Sequence, residues 1–156
     1  MRKQKPKKRI LLPDPKYKNI LVSKVINRVM LNGKKIVAAT IVYDALQILK
    51  EKLEGVHELE TFNKAIENIT PQVEVRTRRI GGANFPIPQP VRDARKLTLA
   101  IRWLVTAARK RTGKSFAQKL AEELILAAKM EGAAYKTKMD THRMAEANKA
   151  FSHFKF

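Results

Sequence analysis

From Ile20 to Leu31 the apolar residues Leu21, Val22, Val25 and Val29 fall on one helical stripe, with Lys24, Asn27 and Arg28 opposite. Asn32-Gly33 then offers a left-handed stop. The same period predicts a second helix over Lys35 to Leu53, carrying Ile36, Val37, Ile41, Val42, Ala45, Leu46 and Leu49. So broad an apolar surface places this helix centrally in the core. A third helix, Glu58 to Ile69, shows Leu59, Phe62, Ile66 and Ile69 before Pro71 halts it. A fourth spans Asp93 to Lys110 with Leu97, Ile101, Leu104, Val105 and Ala108, and Trp103 as a core aromatic. Ser115 and Gln118 form a capping-box pair that opens a fifth, Phe116 to Met130, which buries Leu120, Leu124 and Ala128 and stops at Gly132. Gly132 to Met139 reads as a basic loop. Asp140 then caps a sixth helix reaching His153, in which Met144, Ala147, Asn148 and Phe151 share a face. With no internal repeat and no change of composition regime, residues 1–156 read as one domain.

The helical period breaks at Val73 to Val91, VEVRTRRIGGANFPIPQPV. There side chains alternate at period two, Val73, Val75, Thr77 and Arg79 on one face and Glu74, Arg76, Arg78 and Ile80 on the other. Gly81-Gly82 supplies the turn, and Pro86, Pro88 and Pro90 share one parity on the return strand. All three missing donors therefore lie on one edge, while Phe85, Ile87 and Gln89 keep theirs for the first strand. The expectation is an isolated two-stranded β-ribbon over residues 72–91, between helices three and four and blocked against sheet growth. Fully extended it would project about 25 Å. The alternative is a local clip packed on the helices through Val73, Val75, Phe85 and Ile87. The fold class is thus mainly α: six helices, a protruding ribbon and an extended basic N-terminal arm.

Charge turns this architecture toward function. The chain has 33 Lys+Arg against 14 Asp+Glu, a net +19. Such a surplus repels itself unless a polyanion neutralises it, so nucleic acid is the leading partner. In the arm, residues 1–18, Arg2, Lys3, Lys5, Lys7, Lys8 and Arg9 lead to Lys16 and Lys18 against Asp14 alone, and its prolines forbid a continuous helix. Arg95, Arg102 and Arg109 recur at heptad spacing on the fourth helix with Arg92 and Lys110 nearby, a stripe suited to bidentate phosphate contact. Lys34 and Lys35 after Gly33, Arg111 and Lys114 after the fourth helix, Lys136 and Lys138 in the basic loop, and Arg143 complete the candidate RNA-binding set with the ribbon's Arg76, Arg78 and Arg79.

Other chemistries find no support. Cysteine is absent and the three histidines are scattered, which leaves no metal ligand set, and no cofactor is implied. Gly113-Lys114-Ser115 resembles the end of a phosphate loop, but Ala108 stands where the first glycine is required. His142 and Glu146 meet one turn apart without a nucleophile beside them, so they read as a surface pair and the chain as no enzyme. No run suits a membrane span or a signal peptide, and the simplest location is the cytoplasm.

Four stretches in order, NGKK from Asn32, RRIGGA from Arg78, RWLV from Arg102 and HRMAEANKAF from His142, resemble the bacterial form of the small ribosomal subunit protein seven family over essentially the whole chain. The resemblance implies six helices and a ribbon. It implies a primary binder of the 3′ major domain of 16S ribosomal RNA that nucleates assembly of the subunit head, near the exit-site tRNA and the mRNA path. It further implies proteins nine, nineteen and eleven of the small subunit as neighbours, on a cytoplasmic ribosome. The return strand departs from the family, which usually shows a Tyr-Gln-Val-Pro type run where this chain has Phe85-Pro86-Ile87-Pro88-Gln89-Pro90. Two rivals remain at this level, a DNA-architectural protein and an RNA-modifying enzyme or its accessory subunit.

Overall fold

The computed structural model describes residues 10–53 and 57–154. It contains α1 (Ile20–Val29), α2 (Lys35–Lys52), α3 (Glu58–Ile69), β1 (Val73–Ile80), β2 (Ala83–Pro90), α4 (Asp93–Lys110), α5 (Phe116–Ala128) and α6 (Gly132–Ala147), then a 3-10 turn over Lys149–Phe154. The mainly helical class and the ribbon between α3 and α4 are as the pattern predicts. Arg2, Lys3, Lys5, Lys7, Lys8 and Arg9 lie outside the described residues.

The centre of the core is α5, not α2. It packs on α2, α3, α4 and α6, and its Ala117, Ala121 and Ala127 are buried beside Leu120 and Leu124. Small residues let the neighbouring helices come close while the leucines fill between them. Its start is the expected capping box: the Ser115 hydroxyl accepts from the Gln118 N–H while the Gln118 amide oxygen accepts from the Ser115 N–H. Leu46, Leu49, Phe62, Ile69 and Leu104 are fully buried around it, each adding about 1.5–3 kcal/mol of burial. On α2, by contrast, Ile36 and Val37 are exposed, so the apolar breadth of its first turn is not core.

The basic loop expected at Gly132 to Met139 is the first half of α6. The left-handed residue that ends α5 is Met130, at φ 61°, and the Glu131 N–H returns to the Leu126 carbonyl. Gly132, at φ 90°, opens the next helix instead. A Cβ there would stand 2.9 Å from Glu123 Oε1, the oxygen that accepts the Ala134 N–H at 2.8 Å. A buried carboxylate from α5 thus caps α6 at its positive end. Asp140 is an exposed mid-helix residue rather than a cap. Met144 is exposed, and the buried residue of that stretch is Ala145.

Candidate nucleic-acid interface

The ribbon is laddered from Val73↔Pro90 to Ile80↔Ala83, so the proline-rich return strand does not shorten it. Gly81 and Gly82 have φ 56° and 90°, both in the left-handed region that a two-residue type I′ turn requires. At the base the Val91 N–H donates to the Gln72 carbonyl. Counting back in twos, the donors of Gln89, Ile87 and Phe85 face β1, and Pro90, Pro88 and Pro86 face outward, where no ladder donor is needed.

Both readings of the ribbon hold, in different parts. The base is a clip: Ile87 is fully buried, Val73 and Val75 are half-buried, and Phe85 meets Phe151 at 5.5 Å between ring centroids. The Gln72 N–H donates to Nε2 of His142, so His142 is half-buried and joined to the ribbon rather than engaged in a surface pair with Glu146. Burial, and Lys138 nearby, push the His142 pKa below its ordinary value, which keeps Nε2 an acceptor. Toward the tip Arg76, Thr77, Arg78 and Arg79 are exposed, as are Gly81 to Asn84. Glu74 joins the parts to the body: its carboxylate accepts from Nε of Arg76 at 2.8 Å and from Nε of Arg95 at 3.4 Å. Arg95 therefore belongs to the ribbon's root as much as to the helix stripe.

Several other predicted phosphate contacts are engaged within the protein. Arg109 Nη2 donates to the Val29 carbonyl at 3.1 Å, satisfying an end group of α1 that the helix itself leaves open. Arg111 donates from Nε at 2.9 Å and Nη2 at 2.6 Å to Oε2 of Glu123, a carboxylate with no solvent exposure. Lys114 pairs with Glu122, holding that carboxyl below the usual range. Lys138 Nζ donates to the Asn68 carbonyl at 2.6 Å, and burial lowers its pKa. These are not an unpartnered stripe. They fasten α1 to α4, α4 to α5, and α6 to α3.

The remaining cations face outward. Arg92, Arg102, Lys110, Lys136, Arg143, Lys34 and Lys35 are exposed, and none of their side chains has an ionic or hydrogen-bonding partner among the described residues. Arg28, exposed, and Lys24, half-buried, are absent from the sequence-derived set and likewise have no side-chain partner among the described residues. They stand one turn apart on α1 and line a groove against Leu97, Thr98 and Ile101 of α4. Their i, i+4 spacing along the chain is the signal that marks them.

The arm's root is also fastened. Asp14 is buried and accepts from the N–H groups of Lys16 and Tyr17 and from the Tyr43 hydroxyl. Burial first, then that hydrogen bond, push the Tyr43 pKa to about 12. Asp14 thus holds the turn that precedes α1 against Tyr43 of α2.

Comparison with known proteins agrees with this geometry. Residues 1–149 match the family model described as Ribosomal protein S7p/S5e. The chain is 53% identical to the small ribosomal subunit protein uS7 of Christiangramia forsetii over 158 residues, with all of both chains covered. It is 53% identical to that of Cytophaga hutchinsonii over 156 residues, again with full coverage. With that of Alcanivorax borkumensis it shares 54% over 149 residues, 96% of this chain and 95% of the relative. A helical body with a clipped ribbon and an outward set of unpaired cations, matched along essentially its whole length, belongs to the ribosomal protein S7p/S5e family of the small subunit, a family of structural ribosomal proteins.

Proposed function

We propose that this chain binds the 3′ major domain of 16S ribosomal RNA and nucleates assembly of the subunit head. In this reading it lies near the exit-site tRNA and the mRNA path and neighbours proteins nine, nineteen and eleven. Family membership supplies the ribosomal setting. The observation that carries the RNA-binding part is the division among the cations: Arg92, Arg102, Lys34 and Lys35 are exposed and unpaired while Arg109, Arg111 and Lys138 hold the fold. Unpaired guanidinium and ammonium groups on a rigid body recognise phosphate geometry and shape, and the ribbon adds register. The basic arm, leaving the Asp14 anchor, contributes salt-sensitive affinity.

Chemical footprinting of 16S ribosomal RNA, with excess tRNA as competitor, tests it. Protection confined to the 3′ major domain is expected. Diffuse protection abolished by the competitor would overturn the reading and return the charge to the status of a sticky surface.

A further inference from the structure

The groove between α1 and α4 has a composition that phosphate contact alone does not call for. It encloses about 310 Å³ and is lined by Lys24, Asn27, Arg28, Leu97, Thr98 and Ile101. That volume is at the low end of small-ligand sites, roughly 300–1,000 Å³. It has room for one base. Its floor is apolar: Ile101 is 4% exposed and Leu97 is half-buried. Lys24 and Arg28 form a wall of one sign, and no carboxylate is among the described residues that line it.

The polar groups at the rim are unequal. The Thr98 hydroxyl donates to the Ala94 carbonyl, so it is already engaged. The Asn27 carboxamide is exposed and has no partner among the described residues, which leaves a donor and an acceptor side by side. That pairing matches the hydrogen-bonding edge of a base, and an apolar floor matches its face. Among polyanions, the ribosomal setting of the family favours RNA as the occupant, and one nucleotide offers a phosphate, an apolar face and a hydrogen-bonding edge together.

We propose that this groove seats a single unstacked RNA nucleotide, its base on Leu97 and Ile101, its edge at Asn27 and its phosphate between Lys24 and Arg28. Sequence-specific recognition of RNA mostly takes bases splayed from single-stranded segments. The seat would therefore add base discrimination to a surface otherwise built for backbone shape. It rests on the ribosomal RNA reading above.

The test uses the full chain and a transcript of the 16S 3′ major domain, followed by titration and base-specific chemical probing. Thr98→Trp fills the groove and Asn27→Ala removes its amide; both positions are exposed, so the fold tolerates them. Each is expected to weaken binding about tenfold, the worth of one well-made base contact, with restored reactivity at one nucleotide and, for Asn27→Ala, an unchanged salt slope. The pair Lys24→Ala with Arg28→Ala is expected to lower the logarithmic salt slope, by about 0.7 for each phosphate that is no longer neutralised. Wild-type protection that survives Thr98→Trp unaltered would overturn the seat alone. A wild-type chain with no confined protection would overturn the ribosomal RNA reading and the seat with it. A photo-crosslinker placed at Thr98 should join RNA at one position; a protein adduct instead would assign the groove to a protein partner and overturn the proposal.

Discussion

Arg102 lies exposed in the middle of α4 with no partner among the described residues, whereas Arg111, just past the end of that helix, places two donors on the fully buried Glu123. The residue type is the same, yet one guanidinium faces solvent and the other compensates an internal charge. Net charge measures the surplus of cations over anions and says nothing of this division. What decides it is whether a carboxylate or an open helix end lies within reach, and those partners come from distant parts of the chain: Glu123 for Arg111, Val29 for Arg109, Asn68 for Lys138. A surplus of positive charge is therefore partly structural, and only the residue left over is available to a polyanion.

The contrast is sharpest under substitution. Arg111→Ala strips the compensating charge from Glu123 and loosens its cap on the Ala134 N–H. Breaking a buried pair costs about 3–5 kcal/mol, and because Arg111 itself is partly exposed the lower end, about 3 kcal/mol, is expected in urea unfolding. Arg102→Ala should change stability by no more than about 0.5 kcal/mol, as for an unpaired surface position. Stability losses of equal size in the two variants would erase the distinction.

Next in size is the start of α5, where the same junction is held by a neutral contact. Ser115→Ala removes half of the capping box and should cost about 1 kcal/mol, read as a lowered denaturation midpoint with RNA affinity unchanged at native conditions. An effect on affinity without one on stability would place Ser115 at the interface instead.

The smallest expected effect concerns the hinge between ribbon and body. His142 accepts the Gln72 N–H and has a lowered pKa, so the unfolded chain takes up its proton first as pH falls. The contribution of this contact is whole above the ordinary value of 6.5 and declines as pH drops below it. Urea midpoints followed from about pH 7.5 to 5 should fall more steeply for the wild type than for His142→Asn, whose amide does not titrate. Parallel curves would remove His142 from the hinge.

Much of this architecture is legible in the chain because it is local. Strand parity places Pro86, Pro88 and Pro90 outward, and the register agrees; Ser115 and Gln118 announce their cap from neighbouring positions. The first half of α6 is hidden because it buries little: Ala134 and Ala145 are the buried residues along the helix, and alanines carry almost no periodic signal among Lys136, Lys138 and Thr137. Its start depends on Glu123, a tertiary contact. The central role of α5 is masked in the same way by Ala117, Ala121 and Ala127, while Ile36 and Val37 make α2 look more internal than it is. At the interface, residue types are readable and their commitments are not. Arg111 and Arg102 look alike in the chain, and the apolar stripe of α1 draws attention away from Lys24 and Arg28 on its other side.

The division of the cations is decided by one pair of measurements: the salt dependence of affinity for the 3′ major domain transcript, beside unfolding free energy, for Arg102→Ala and Arg111→Ala. Arg102→Ala is expected to lower the logarithmic salt slope by about 0.7–0.9 with stability intact. Arg111→Ala should lose stability while the folded protein keeps the wild-type slope. A reduced slope for Arg111→Ala, or an unchanged one for Arg102→Ala, would contradict it.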